Sequence, residues 1–479
     1  MKKEINRRKF LKTAAAGSAF CLGGSRILTF GANQMDSRFV HSINKKSNVS
    51  VGKIYMANPN GLWPKPNLDL VEEVRRYDVE FAKLKDDLSD IDFVVNELIT
   101  APEQFAKIKE KLRDVDGILV IHLSNSVRPI LNEILSVRKP TVVFAVPYSG
   151  HDWAQFGSMR NQEQGSLMEC LLTTDYKELA VAVRPFRAIY HLKKAKILNV
   201  TTRELSADYV NNIKEKFGTE IKAIGRQRML DAYDTIDNNS AEKEANNLII
   251  GAVKVVEPSR EEIFKSCKLA LAFQKVMEEE DANLITVDCY GSMYQNLPAF
   301  PCIGFHRLNN MGLGGVCESD LRSAMTHLIF QGLVGRPGFV NDPTMDVSKN
   351  SIILAHCLGT TKMDGPDKEA APYNIRTIME RQAGAVIQAK MRIGQKVTQA
   401  ILVGSDLLLY FTGEIIDTPV SLEYDRGCRT KITVRLDGDA EKLWKSWSSG
   451  LHRVTCYGEL TKDLERFCRF KGIILVNEA

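Results

Sequence analysis

The chain reads as an α/β protein, with two Rossmann-like α/β domains followed by a mostly β C-terminal domain. Three observations predict this. The apolar runs GILVIHL (117–123) and PTVVFAVP flank a helical segment, SVRPILNEILSV; a parallel strand buried on both faces reads as such a run. The same rhythm restarts at AKILNV (195–200), continues through EIKAIG (220–225) and returns at NLITVDC (283–289). In the last part, ILVGSDLLLYFTGEII and RTKITVRL are strand-like, and Ile432, Val434 and Leu436 alternate with polar residues, the period of a half-buried strand.

A chain of 479 residues exceeds what one core accommodates. Its start, NRRKFLK followed by TAAAGSAFCLGG, has the paired arginines and short, weakly apolar run of a twin-arginine export signal. Residues 1–32 are assigned to that signal and 33–50 to a linker. The run is too short and too rich in Ala and Gly for a membrane anchor, and Phe20 before Cys21 argues against lipid attachment. A periplasmic or exported protein is expected. The net charge is +5, much of it in Lys2, Lys3, Arg7, Arg8, Lys9 and Lys12, and no basic stripe marks a nucleic-acid partner. Nine cysteines follow Cys21, scattered and without a C-x-x-C pair. They read as small buried apolar residues.

The first domain is expected over 51–180, opening with the strand VGKIYMA. The second runs over 181–349. It contains a helix near 206–216 and a longer one that starts at a Ser259/Glu262 capping-box pattern and turns Phe264, Cys267 and Leu271 to one face. The third, 350–479, is expected to be mostly β with a helix near 460–471.

The stretch LGGVCESDLRSAMTHLIFQGLVGRPGFVND (313–342) is the most informative. Glu318 reads as opening an amphipathic helix, and Asp342 ends the segment after a Gly-Arg-Pro turn. Each has an ordinary reading. A carboxylate in a first helical turn gains about 0.3–1 kcal/mol from the helix dipole, and Asn-Asp-Pro is turn chemistry. His356 ends an apolar run, as core histidines do, and His452 follows a Ser-Ser-Gly loop at a strand start. Together the four offer carboxylate and imidazole ligands without a thiolate cluster, which suits Mn²⁺, Mg²⁺, Co²⁺ or Zn²⁺. Asp288 and Tyr290 stand at a strand end, where they either line a cleft or finish a turn. His151 and Trp153 follow another strand end, the usual ligand side of an open α/β sheet; they either stack on a sugar or plug a loop. MGLGG (311–315) is not a dinucleotide fingerprint, and the chain has no P-loop and no G-x-S-x-G.

PCIGFHRLNNMGLGGVCESDLRSAMTHLIFQGLVGRPGFVND resembles the core signature of the L-fucose and L-arabinose isomerase superfamily. HRVTCYGELTKDLERFCRFKGIILVN resembles that superfamily's final segment, and AHCLGTTKMDGP the Ala-His motif of its arabinose branch. The likeness covers roughly 280–479. Glu459 departs from it, standing where the fucose branch has a second histidine, and export is unusual for these enzymes. The resemblance implies a fucose/arabinose isomerase-like fold, a homo-oligomer, a small-molecule sugar substrate and a divalent ion, Mn²⁺ first. It makes Glu318, Asp342 and His452 metal ligands, with His356 a further ligand or a hydrogen-bond donor. Glu318 and Asp342 become the acid/base pair of aldose–ketose isomerisation through an enediol. Epimerase or lyase chemistry on a modified sugar or glycoside, and noncatalytic periplasmic sugar binding, are the alternatives.

Overall fold

The structure is a computed structural model describing residues 48–419 and 426–479. The export signal and almost all of the linker expected before Val51 lie outside the described residues. The first sheet contains β1 (Val49–Met56), β2 (Ile91–Ile99), β3 (Gly117–His122), β4 (Thr141–Ala145) and β5 (Met168–Leu172), all parallel in the order β2-β1-β3-β4-β5. The second contains β6 (Lys196–Val200), β7 (Glu220–Ile224), β9 (Leu284–Val287) and β10 (Gly314–Cys317), parallel in the order β10-β9-β6-β7. The short β8 (Lys254–Val255) belongs instead to a three-stranded ribbon with β13 (Tyr373–Ile378) and β14 (Ala383–Ala389).

The remaining strands are β11 (Phe339–Asp346), β12 (Ser351–His356), β15 (Lys396–Val403), β16 (Leu407–Asp417), β17 (Thr430–Leu436), β18 (Arg453–Tyr457) and β19 (Ile474–Asn477). They run in the order β15-β18-β11-β12-β17-β16-β19, and β15 also pairs with β16. Six of them therefore close into an antiparallel barrel, with β19 added to β16 in parallel. A closed ring removes free edges.

Local chemistry sets the helix starts. Glu262 N donates to Ser259 Oγ (3.2 Å) while Ser259 N donates to Glu262 Oε2 (2.9 Å), completing the predicted capping box of helix Arg260–Glu280. This helix buries Cys267, Leu269, Phe273, Val276 and Met277 completely, whereas Phe264 and Leu271 are half-buried. Helix Leu321–Val334 is not amphipathic. Its apolar residues join one core with Ile285 and Val316 of the second sheet and with Ala400 and Leu402 of the barrel. The barrel covers the face that a two-layer fold would expose. Gly332 permits close contact with helix Arg184–Lys194, because a Cβ there would lie 2.7 Å from Ala188 Cα.

The β8–β13 ribbon is pinned by Glu257, whose carboxylate accepts from Arg376 Nε (2.8 Å) and lies 3.5 Å from Arg429 Nη2. Burial opposes the Glu257 charge, but Arg376 and the Thr377 N–H outweigh it and hold the pKa below the ordinary 4.5. The unfolded chain therefore takes up this proton first as pH falls. The stability advantage of the wild type over Glu257→Gln is expected to be full above about pH 5 and to shrink as pH drops through the folded-state value. Urea midpoints of both proteins across that range measure it; a gap that does not change with pH would refute the linkage.

Candidate metal centre

Two neighbouring strand ends and a barrel rim build the centre. Cys317 of β10 pairs with Val287 of β9, and the chain then passes through Glu318 (φ 61°) and Ser319 (φ 55°). Two consecutive left-handed residues without glycine cost on the order of 1–3 kcal/mol each and persist only where the surroundings enforce them. Ser319 N donates to Val287 O (3.0 Å), and its hydroxyl donates to Asn199 Oδ1. Glu318 therefore precedes the helix and is not in its first turn, contrary to the sequence reading. The helix N-cap is Asp320, whose Oδ1 accepts from Arg322 N (3.0 Å) and Ser323 N (3.1 Å).

Asp342 lies within β11, not in a turn, and pairs with Ala355. The ladder of β11 with β18 ends at Asn341, so Pro343 lies beyond the last residue paired on that side. Neighbouring Asn341 is buried and bonded to Thr455 Oγ1 (2.8 Å) and Gln399 Nε2 (2.6 Å). Strand alternation turns Asp342 to the other face. His356 ends β12, and His452 immediately precedes β18. Arg453 anchors that start: it is fully buried, 2.9 Å from Glu478 Oε1, and stacked 4.0 Å from the Trp447 ring.

These elements bring Glu318, Asp342, His356 and His452 together. His452 Nε2 is 3.2 Å from Asp342 Oδ1 and 3.7 Å from Glu318 Oε2. His356 Nε2 is 3.9 Å from Glu318 Oε1, and the two imidazole centroids are 5.4 Å apart. Ligand atoms of Asp342, His356 and His452 all lie within 4.8 Å of one another, as do those of Cys317, Glu318 and His356. Asp342 Oδ1 is buried and makes no hydrogen bond of good geometry, although His452 Nε2 approaches it to 3.2 Å.

Charge is unevenly shared. Burial pushes the Glu318 carboxyl up; His452 opposes this, while Asp342 and Asp320 add to it. Burial also works against the Asp342 charge, but His452 and His356 hold its pKa below the ordinary value. His452 is desolvated, yet Asp320 and Asp342 raise it to about 10, while burial lowers His356 to about 4. Asp320 falls to about 2, since hydrogen bonds from His452 and Ser323 overcome its burial.

Sequence reasoning did not single out Asp320. Its Oδ2 faces His452 Nδ1 at 2.9 Å and accepts from Ser323 Oγ at 2.6 Å. The available signal was the Glu-Ser-Asp spacing ahead of the helix. Of the remaining predicted residues, Asp288 is committed to its own turn, accepting from Ser292 N (2.8 Å) and pairing with Arg203 Nε (3.0 Å). Tyr290 donates to Glu380 Oε2 (2.8 Å), and the Glu380 charge reaches Glu318. His151 and Trp153 belong to the segment after β4 of the first sheet; His151 packs 4.5 Å from Trp63, and Trp153 is half-exposed at the start of helix Trp153–Arg160. All nine cysteines of the described residues are free, seven of them buried. Among the described residues no helix is long and apolar enough to cross a membrane.

The fold and its rim thus define a carboxylate–imidazole centre at the junction of a parallel sheet and a β-barrel. No family model matches the chain. A sulfoquinovose isomerase of Clostridium sp. (strain MSTE9) is 23% identical over 265 residues, which are 52% of this chain and 56% of that protein. Sulfoquinovose isomerases of Priestia aryabhattai and Priestia megaterium (strain ATCC 12872 / QMB1551) are each 24% identical over 99 residues, 20% of this chain and 22% of theirs. The chain therefore spans little more than half the length of the first relative and about a fifth of the other two. The relatives' names are those of sugar isomerases, and they support the likeness to the fucose and arabinose isomerase superfamily.

Proposed function

We propose that this chain is a divalent-cation-dependent aldose–ketose isomerase acting on a free sugar. The observation that carries this reading is the convergence of Glu318, Asp342 and His452, with an Asp342 oxygen buried and without a donor. Carboxylate oxygens and an imidazole nitrogen suit Mn²⁺, the ion expected here. His452 would present Nε2 to the ion while its Nδ1–H is held by Asp320, a second carboxylate that fixes ring orientation. His356 accepts the Cys357 N–H at Nδ1 (2.8 Å), which leaves its ring hydrogen on Nε2, the nitrogen facing Cys317 and Glu318. In that tautomer His356 serves as a hydrogen-bond donor to a sugar hydroxyl; ligation would require breaking the Cys357 bond.

When bound, the cation polarises the sugar carbonyl as a Lewis acid. Glu318 accepts the C2 proton, the C–H electrons form the C1–C2 double bond of an enediol, and the proton returns to C1. Asp342 carries the hydroxyl proton from O2 to O1. The raised pKa of Glu318 suits a group that must hold a proton between two carbons. Export through the twin-arginine route and homo-oligomeric assembly belong to the same proposal; cell fractionation and light scattering test them.

The deciding experiment incubates Mn²⁺-loaded protein with a panel of aldoses, ketoses and sulfoquinovose in D₂O, read by NMR. Ketose formation with exchange at C1 or C2 is expected; elimination or epimer products, or no turnover with any sugar, would overturn the assignment. Asp320→Asn separates orientation from capping, since Asn caps helices as well as Asp. Mn²⁺ affinity is expected to fall roughly 10- to 100-fold, and the urea midpoint falls with it, because the buried His452 ring loses its charged partner while the helix cap is kept. Titration calorimetry and denaturation read the two quantities, and unaltered affinity would remove Asp320 from this role.

A further inference from the structure

We infer that Arg381 holds an anionic substituent of the sugar, so that the substrate carries a sulfonate, phosphate or carboxylate away from its carbonyl end; this rests on the isomerase reading. Arg381 occupies the turn between β13 and β14, where Gln382 takes a left-handed conformation (φ 48°) and its N–H donates to Ile378 O (2.8 Å). Its guanidinium carbon lies 5.1 Å from the Tyr290 ring centroid and 4.6 Å from that of Tyr294. The two rings are stacked, with centroids 6.4 Å apart and planes at 20°, and Phe300 backs Tyr294 at 6.4 Å. A guanidinium laid on aromatic faces keeps its N–H edge free for two oxygens and loses little freedom when it binds them.

Among the described residues Arg381 makes no ion pair and no hydrogen bond. Arg203, a second guanidinium near these strand ends, is already bound to Asp288 at 3.0 Å. Position links Arg381 to the centre. Tyr290 follows β9, whose Val287 pairs with Cys317 just before Glu318. The Tyr290 hydroxyl is bonded to Glu380, and Glu380 acts on Glu318. A cavity of about 280 Å³ lined by Cys289, Met293, Phe300, Ala383 and Gly384 adjoins the same turn.

Glu318, Asp320, Asp342 and Glu380 are all acidic. His452 and the cation would serve the carbonyl end, so an anionic group at the far end, beside Glu380, needs a positive partner of its own, whereas a neutral sugar has no use for one. Arg381 is the guanidinium that the aromatic pair presents uncommitted.

The test measures binding by calorimetry to Mn²⁺-loaded wild type, Arg381→Gln and Arg381→Lys. The probes are a hexose 6-sulfonate, a hexose 6-phosphate, a hexuronate and a neutral 6-deoxyhexose. The wild type is expected to prefer at least one anionic sugar by roughly 10- to 100-fold over the deoxyhexose. In Arg381→Gln that ratio falls to about one, and in Arg381→Lys it recovers in part, because an ammonium supplies charge without the planar fork. The rank of the three anions identifies the substituent. A wild type without anionic preference, or a preference that survives Arg381→Gln, overturns the inference. Isomerisation is followed in the same samples: anionic preference without turnover would sink the isomerase reading and leave the Arg381 contact standing.

Discussion

Asp342→Asn, loaded with Mn²⁺, is expected to turn over the sugar roughly 10²- to 10⁴-fold more slowly than the wild type. The substitution keeps the size of the side chain and the β11 ladder, which uses backbone groups only. It replaces an oxygen that is buried without a donor and faces His452 at 3.2 Å with one end of an amide. On the proposed reading two losses coincide: an anionic ligand, and the group that moves the proton between O1 and O2. Glu318→Gln should fall by a similar factor, since an amide accepts no proton from carbon. Initial rates by NMR, with Mn²⁺ content measured on the same protein, check both. Either variant turning over at the wild-type rate would remove the proposed acid/base pair, whatever its metal content.

Arg453→Met or Glu478→Gln is expected to cost about 3–5 kcal/mol of stability, because each leaves its buried partner without its ionic counterpart. Both side chains are almost wholly inaccessible, and they meet at two contacts, Nη2–Oε1 (2.9 Å) and Nε–Oε2 (3.2 Å). The double replacement Arg453→Met with Glu478→Leu should recover most of the loss, since apolar packing of similar volume commonly matches a buried ion pair. Urea denaturation measures all three variants against the wild type. If the single variants are as stable as the wild type, the pair is not what anchors the start of β18, and the placement of His452 needs another cause.

The inner strands of the parallel sheets were legible in the sequence because burial on both faces makes them read as unbroken apolar runs: Gly117–His122 and Leu284–Val287 are buried throughout, whereas the edge strand Ile91–Ile99, exposed along much of its length, was not singled out. The Ser259/Glu262 cap was equally plain, since both halves of its reciprocal bonding are local. The setting of Glu318 was not legible. Left-handed backbone is ordinarily announced by glycine, and here Glu and Ser adopt it, held by Val287 O and Asn199. Asn-Asp-Pro suggested a turn at 341–343, yet the proline is tolerated because one neighbouring strand has already stopped pairing. The Asp320–His452 contact spans 132 residues, and no local pattern encodes such a meeting. Asp288 sits at a strand end as read, but Arg203 and the Ser292 N–H already engage it. Nothing in the apolar pattern announced that β15 and β16 close a ring.

That ring has a consequence for biosynthesis. β18 stands between β15 and β11, and the residue just ahead of it supplies the imidazole that meets Asp342. A ribosome-bound chain still lacking Arg453–Tyr457 has an unsealed barrel and a half-built carboxylate–imidazole centre. Contacts of such long sequence separation form slowly and late. The carboxylate–imidazole centre is therefore completed only once Arg453–Tyr457 has been made and has paired with β11 and β15.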